Sequence, residues 1–250
     1  MAVAHGGAWD VTTMPYDSNA ALVAAYAADD DGVKIDVRVT SDNVPVIAHS
    51  SPIEVYESVD CANKKIEEMT AAEVTACHRF PSTTETFQRL DDVLGYLRGK
   101  MIVQLCVKLA TDYARTIAEV HALHAEDFAF IEINAPELGP LIPTLPGSDS
   151  VYYLVNLASD LGPVDSLLAL HNSRAFMFEI DPGVDLGTLV TAKLHPAGVR
   201  AFIYDSTASP SVALLKGHYD AGFDVVSSQG GAKGVQARVM VNTARGLTPP

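Results

Sequence analysis

The sequence predicts an α/β protein built as a single-domain (β/α)8 TIM barrel. Three observations carry that expectation. Eight short runs are rich in β-branched residues, amphipathic Ala/Leu-rich stretches separate them, and the 250 residues contain no linker, low-complexity tract or repeat. Alternation of the two periods along the whole chain is the pattern of parallel βα units. With 48% hydrophobic residues the chain can fill one large core, so residues 1–250 are read as one barrel domain.

The elements follow in order. The first strand is expected over residues 2–5, ending at His5 and followed by Gly6-Gly7, where the backbone can approach a ligand closely. A helix over 18–28 begins with Ser18 as its N-cap. The second strand, 33–39, puts Lys34 and Asp36 on one face because side chains alternate with period two. His49 closes the apolar run Val44-Pro-Val-Ile-Ala. The stretch from 50 to 100 breaks the rhythm with a short helix over 66–74 and another from Leu90, and is expected to lie over the C-terminal mouth of the barrel. The strand over 101–107 brings in Cys106, with Lys108 on the same face. Strands over 128–133, 151–155, 175–180, 199–203 and 224–227 complete the eight. Helices over 112–123, 163–170, 186–194, 209–216 and 235–244 alternate with them.

A barrel of this kind collects functional groups at the C-terminal ends of its strands. The candidates there are His5, Lys34, Asp36, His49, Cys106 and Lys108, with Glu132, Asn134, Asn156, Glu179, Asp181, Tyr204, Asp205 and Gln229 as candidate wall residues. Taken singly, each His is a hydrogen-bonded strand-end residue. Together they suit general acid/base work, because imidazole titrates near neutral pH and one group must take a proton while the other gives one. A pair in opposite protonation states is therefore expected. The other histidines, His78, His121, His124, His171, His195 and His218, read as surface residues. Lys34 and Asp36 could form a structural ion pair, or Lys34 could neutralise charge developing on an oxyanion. Cys106 reads first as a small apolar core residue.

The formal charge of -14 opposes nucleic acid and anionic membrane surfaces, so an anionic small-molecule substrate must be held by local cations. No apolar run approaches the roughly 20 residues of a membrane helix. Met1-Ala-Val-Ala lacks the basic start of a signal peptide, and a soluble cytoplasmic protein is expected. Free thiols are expected for Cys61, Cys77 and Cys106 in that compartment. Nothing in the sequence sets an oligomeric state.

The segments His5-Gly6, Lys34-Ile-Asp36-Val-Arg-Val-Thr40-Ser-Asp42-Asn43, His49-Ser50 and Cys106-Val-Lys108 resemble the motifs of the glycerophosphodiester phosphodiesterase family, part of the phospholipase C-like phosphodiesterase barrels. The family pattern runs His-Arg-Gly, Glu-x-Asp-Val-x-x-Thr-x-Asp-Gly, His-Asp, then Glu-x-Lys. Both His, the Asp and the Lys match. Lys34 and Cys106 stand where the resemblance implies metal-binding Glu residues, Gly6 stands for the phosphate-holding Arg, and Ser50 for the Asp after the second His. Some relatives carry a disulfide in the loop after the second His, where Cys61 and Cys77 lie. A Lys at a ligand position repels a cation, so no metal and no cofactor are expected. Mg²⁺ or Ca²⁺ would require Glu132, Glu179 or Asp181 to rebuild a site beside Asp36.

The leading functional expectation is a metal-independent phosphodiesterase, a hydrolase or phosphodiester lyase, with His5, His49, Lys34 and Asp36 catalytic and Lys108, Glu132, Glu179 and Tyr204 binding substrate. A second reading keeps the His pair but makes the protein a non-phosphate lyase, cyclase or isomerase. A third makes it a pseudoenzyme that binds a small anion.

Overall fold

A computed structural model describes residues 1–10, 12–134, 141–170, 175–184, 186–229 and 231–247. Eight parallel strands close into a barrel in the order β1 (Ala2–His5), β9 (Val225–Ser228), β8 (Arg200–Asp205), β7 (Ala175–Ile180), β6 (Tyr152–Ala158), β5 (Ala129–Asn134), β4 (Ile102–Val107) and β2 (Gly32–Val39). Closure is made where β1 pairs with both β9 and β2, with His5 beside Lys34. Helices cover the outside, as expected of a (β/α)8 barrel.

Each strand is apolar on its outward face and, low in the barrel, on its inward face as well. That two-sided burial is why the strands read as nearly continuous apolar runs. Outward residues such as Val33, Ile35, Val37, Val103 and Leu105 pack under Leu22, Leu94 and Leu97 of the helices. Inward, Val3, Phe130, Leu154, Met177, Phe202 and Val225 plug the bottom of the barrel. One pleat higher the inward positions turn polar, and two residues further along each strand stand His5, Glu132, Asn156, Glu179, Tyr204 and Ser227. The alternation thus builds a polar floor on an apolar plug.

Local signals set most boundaries. The Ser18 hydroxyl accepts from the Ala21 amide at 3.2 Å and caps the helix Asn19–Ala27. Ser211 does the same for Val212–Asp220, moving that helix past the expected 209–216. The helix expected over 66–74 is two pieces, a 3₁₀ turn at Ile66–Glu68 and a helix at Ala71–Thr75, because Thr70 and Glu73 form a capping box that restarts it. The helix expected over 186–194 is one short turn, Gly187–Leu189, continued by a π-helical turn at Val190–Leu194. The last helix starts earlier, at Ala232.

Two features differ from the sequence expectations. A short strand, β3 (Pro45–Ile47), pairs antiparallel with the upper end of β2, as an edge position that tolerates proline. The free-thiol expectation is also corrected: Cys61 and Cys77 form a disulfide, their Cα atoms 5.9 Å apart. The chain between them doubles back over a small core of Val46, Ile53, Ile66, Val74 and Phe87, which brings the two cysteines together. Free thiols followed from an intracellular placement, which a disulfide does not support. Among the described residues, no helix is long and apolar enough to cross a membrane.

Of the histidines read as surface residues, His171 lies outside the described residues. His218 is largely buried against Asp205, Nε2 to Oδ2 at 2.7 Å. His121 is held between Glu126 and the Gly147 carbonyl at 2.7 and 2.9 Å. Their carboxylate partners are remote in sequence or across a turn, so the helical pattern alone hides them.

Candidate active site

His5 leaves the end of β1 directly above the apolar plug. Its ring stacks on Tyr204 of β8 with centroids 4.2 Å apart, and its Nδ1 lies 3.4 Å from the Tyr16 hydroxyl. The next residue explains a departure noted in the sequence. Gly6 has φ +72°, and a Cβ built on it would lie 2.0 Å from the Tyr16 ring. The space that a side chain at position 6 would need is filled by Tyr16, whose neighbour Asp17 donates its amide to the Gly6 carbonyl at 3.0 Å.

Tyr16 is also the hub of a buried charge network. Its hydroxyl accepts from the Lys34 ammonium at 2.9 Å and donates to Asp36 Oδ2 at 2.9 Å. Asp36 Oδ1 is shared by Lys34 and Lys108, the latter at 2.5 Å. The alternation of β2 and β4 delivers this arrangement, since Lys34 and Asp36 point inward from one strand and Lys108 follows the next. Burial opposes charge on Asp36, but the two ammonium groups outweigh it and hold the carboxyl well below the usual range. Burial likewise opposes charge on Lys34, and Asp36 outweighs it in the other direction. Burial pushes the Tyr16 phenol well up, so it stays protonated. Below Tyr16, the fully buried Asp17 accepts the Asp36 amide at 3.1 Å, and burial with the nearby Asp36 charge pushes its carboxyl up to about 7.

His49 is fixed through its backbone. Arg38 donates to its carbonyl at 2.9 and 3.1 Å, and its amide donates to Glu57 at 2.8 Å. Glu57 also takes the Ser50 amide at 2.9 Å, so Ser50 is a backbone anchor at the position where the family motif has Asp. The fully buried Arg79 donates to the carbonyls of Ile47 and Tyr16 at 2.6 and 3.1 Å, tying the insertion to both sides of the site. The imidazole itself meets Tyr56 of the insertion, Nδ1 to hydroxyl 3.1 Å.

The two imidazoles stand at the junction of two chambers. An inner polar pocket of about 290 Å³ is lined by Lys34, Lys108, Gln104, Glu132, Asn156 and Glu179 among others. An outer vestibule of about 440 Å³ is walled by Trp9, Tyr16, Tyr56, Phe80 and Pro81. His5, His49 and Tyr204 line both. Burial, with Lys34 beside it, pushes the His5 pKa well below 6.5. Burial and the Lys108 charge lower that of His49 against the pull of Asp36. Both shifts favour the neutral imidazole, whereas the sequence predicts one charged ring and one neutral.

The structure gathers His5, Lys34, His49, Cys106, Lys108, Glu132, Asn156, Glu179 and Tyr204 around one pocket, with Asp36 bonded to both lysines and Gln229 in the vestibule, while Asp205 is engaged by His218 and the side chain of Asn134 lies outside the described residues. Glu132 accepts from Gln104 at 2.9 Å, and burial together with Glu132 pushes Glu179 up to about 8. Burial pushes the Cys106 thiol up, with Lys108 Nζ 3.3 Å from its sulfur, which suits a packed thiol and not a nucleophile. The sequence reading missed Tyr16, Tyr56, Trp9, Asp17, Glu57, Arg79 and Gln104. Gln104 could have been found, two residues before Cys106 on the same strand face.

The sequence profile of the Glycerophosphoryl diester phosphodiesterase family matches residues 12–126. No curated protein matches the chain. Among solved structures, a glycerophosphoryl diester phosphodiesterase from Parabacteroides distasonis superposes with a TM-score of 0.79 at 18% identity, over 96% of this chain and 86% of that one. A glycerophosphodiester phosphodiesterase from Agrobacterium tumefaciens gives 0.73 at 21%, covering 94% and 98%. An Oleispira antarctica phosphodiesterase in complex with the product sn-glycerol-3-phosphate gives 0.73 at 17%, covering 96% of each chain. At these identities the likeness is one of fold.

The expectation that no metal or cofactor is used is overturned by this kinship, because glycerophosphodiester phosphodiesterases typically use a divalent Ca²⁺ or Mg²⁺ ion. The donors of this chain do not fit such an ion as they stand. Among the described residues no group of three His, Cys, Asp or Glu side chains is arranged to hold one, and Asp36 faces two ammonium groups instead. By sequence over residues 12–126 the chain matches the Glycerophosphoryl diester phosphodiesterase family, and its barrel resembles those of solved glycerophosphodiester phosphodiesterases over nearly the whole length.

Proposed function

We propose that the site cleaves a small anionic phosphodiester, the phosphoryl group resting at the junction of the two chambers. Family and fold support a phosphodiesterase function. The observation that carries the finer reading is the pairing of two imidazoles, His5 and His49, with two ammonium groups, Lys34 and Lys108, around one pocket. Fixed donors in a partly dry site stabilise developing negative charge on phosphoryl oxygens far better than water does.

His5 is the more suitable base. It is the more deeply buried ring, it is neutral, and Lys34 beside it disfavours its charged form. It would take the proton of the attacking hydroxyl as the new P–O bond forms. His49 is nearer solvent and feels Asp36, which favours its charged form. An arriving phosphodiester anion raises the pKa of both rings, and His49 would then give its proton to the leaving alkoxide as the old P–O bond breaks. Tyr204 and Tyr56 hold the two rings in place, and Glu132 with Glu179 faces the group bound in the inner pocket.

The test is turnover of a panel of glycerophosphodiesters, each with and without added Mg²⁺ or Ca²⁺, by wild type, Lys34→Met and Lys108→Met. Loss of the ammonium donors should lower kcat by roughly 10²–10³. Turnover of none of the panel, with tight phosphate binding retained, would make the protein an anion binder. Cleavage unaffected by both substitutions would remove the lysines from the mechanism.

A further inference from the structure

The aromatic vestibule does not end at the catalytic cleft. Phe80 and Pro81 form its outer wall and are at the same time the inner wall of an adjoining open groove that reaches Val59 and His78. The two hollows thus lie on either side of that wall, outward from His49. Their rim is apolar and faces solvent: Tyr56, Val59 and Phe80 are 55%, 63% and 46% exposed, and Val55 beside them is 60% exposed. Isolated exposed apolar side chains need no explanation, but Val55, Tyr56 and Val59 within five residues, with Phe80 lining the same groove as Val59, mark a surface with an occupant.

That segment is held in place. The Cys61–Cys77 disulfide closes it, the Phe80 amide donates to the Glu57 carbonyl at 2.8 Å, and Arg79 anchors its end to the floor of the site. Two neighbouring apolar hollows beside a cleft that has its cations on the far side of the histidines are matched by one kind of molecule. We propose that the substrate is an amphiphile, a phosphodiester whose phosphoryl group sits at the junction of the two chambers, facing Lys34 and Lys108, and whose single alkyl or acyl chain lies in the vestibule and over Phe80 toward Val59. This inference rests on the phosphodiesterase reading and adds the chemical class of the outer substituent. A single chain fits better than docking to a bilayer. The two hollows are flanked by Asp10 and Asp60, and the protein's charge of -14 repels anionic membrane surfaces.

The protein supplies its own probe, because Trp9 is its one tryptophan and lines the vestibule. Trp9 emission is titrated with ethyl, butyl, octyl and dodecyl phosphate, all below their aggregation concentrations. Binding of these monoesters needs no turnover. At roughly half the burial value of a methylene, the dissociation constant should fall on the order of 10²-fold from ethyl to octyl. Phe80→Ser and Val59→Ser alter exposed residues, so folding is not at risk, and each should flatten the chain-length slope severalfold. A dissociation constant indifferent to chain length, or a slope kept in both variants, overturns the inference. So does sedimentation with neutral phosphatidylcholine vesicles that persists while the monomeric series shows no slope, since that would make the rim a bilayer contact. Failure of the phosphodiesterase reading is seen separately, as absence of turnover across the glycerophosphodiester panel whatever the slope.

Discussion

Replacing Tyr16 with Phe removes one oxygen atom and tests the whole charge network. The hydroxyl is buried, accepts from Lys34 at 2.9 Å and donates to Asp36 Oδ2 at 2.9 Å. The ring keeps its place against Gly6 and Trp9, so packing is little changed. Two hydrogen bonds to ionised partners are lost, each worth about 1.5–3 kcal/mol, and Asp36 is fully buried, away from solvent that could replace the donor. Asp36 keeps both lysines through Oδ1, which limits the damage. A net loss of about 2–4 kcal/mol follows. Urea unfolding reads it as a lower midpoint at an unchanged slope. Because the hydroxyl also orients Lys34 and touches His5, kcat should fall with little change in the protein's secondary structure. A stability loss below about 1 kcal/mol would refute the argument, since it would mean that solvent reaches Asp36 and that the network is not the closed one described.

Three further outcomes follow from single features. Gly6→Ala forces a methyl group to within 2.0 Å of the Tyr16 ring at φ +72°, and should cost at least about 1–3 kcal/mol in unfolding experiments and displace Tyr16. Reducing the Cys61–Cys77 bond, which spans 16 residues, should lower stability by about 3 kcal/mol and leave the barrel folded, measured by denaturation with and without reductant. Glu179 is raised from 4.5 to about 8 by burial and Glu132, so the folded protein binds its proton more tightly than the unfolded chain does. Its contribution to stability is complete below about pH 4.5 and is lost as pH rises through about 8. Unfolding midpoints from pH 5 to 9 should decline less in Glu179→Gln than in wild type, and equal declines would show that Glu179 ionises freely.

The barrel was legible because its signals are local and repeated. β-branched runs and helical stretches alternate at a spacing that leaves few topologies, and Ser18 marks a helix start whichever fold follows. The charge pair of Lys34 and Asp36 was legible from strand alternation alone. The residues that hold the site together were not, because their partners are remote. Tyr16 reaches Lys34 and Asp36 across 18 and 20 residues, and Arg79 reaches Tyr16 across 63. No period links such positions. The state of the histidines was hidden for a related reason, since it depends on burial and on lysines that fold in from neighbouring strands. Gly6 shows the limit of motif reading: the missing family Arg looks like a loss in the sequence, whereas the structure fills its space with Tyr16.

The most direct test of the account is turnover of a glycerophosphodiester by His5→Ala and His49→Ala, with circular dichroism to establish folding and with the pH dependence of wild-type kcat/KM alongside. Each substitution should lower the rate by roughly 10²–10⁴, the usual worth of a positioned acid or base. The acidic limb for the wild type should fall below pH 6.5, where burial sets the free His5 and His49 groups. If both folded variants keep near-full turnover, the two imidazoles do not move protons in this reaction and the account of the site is wrong.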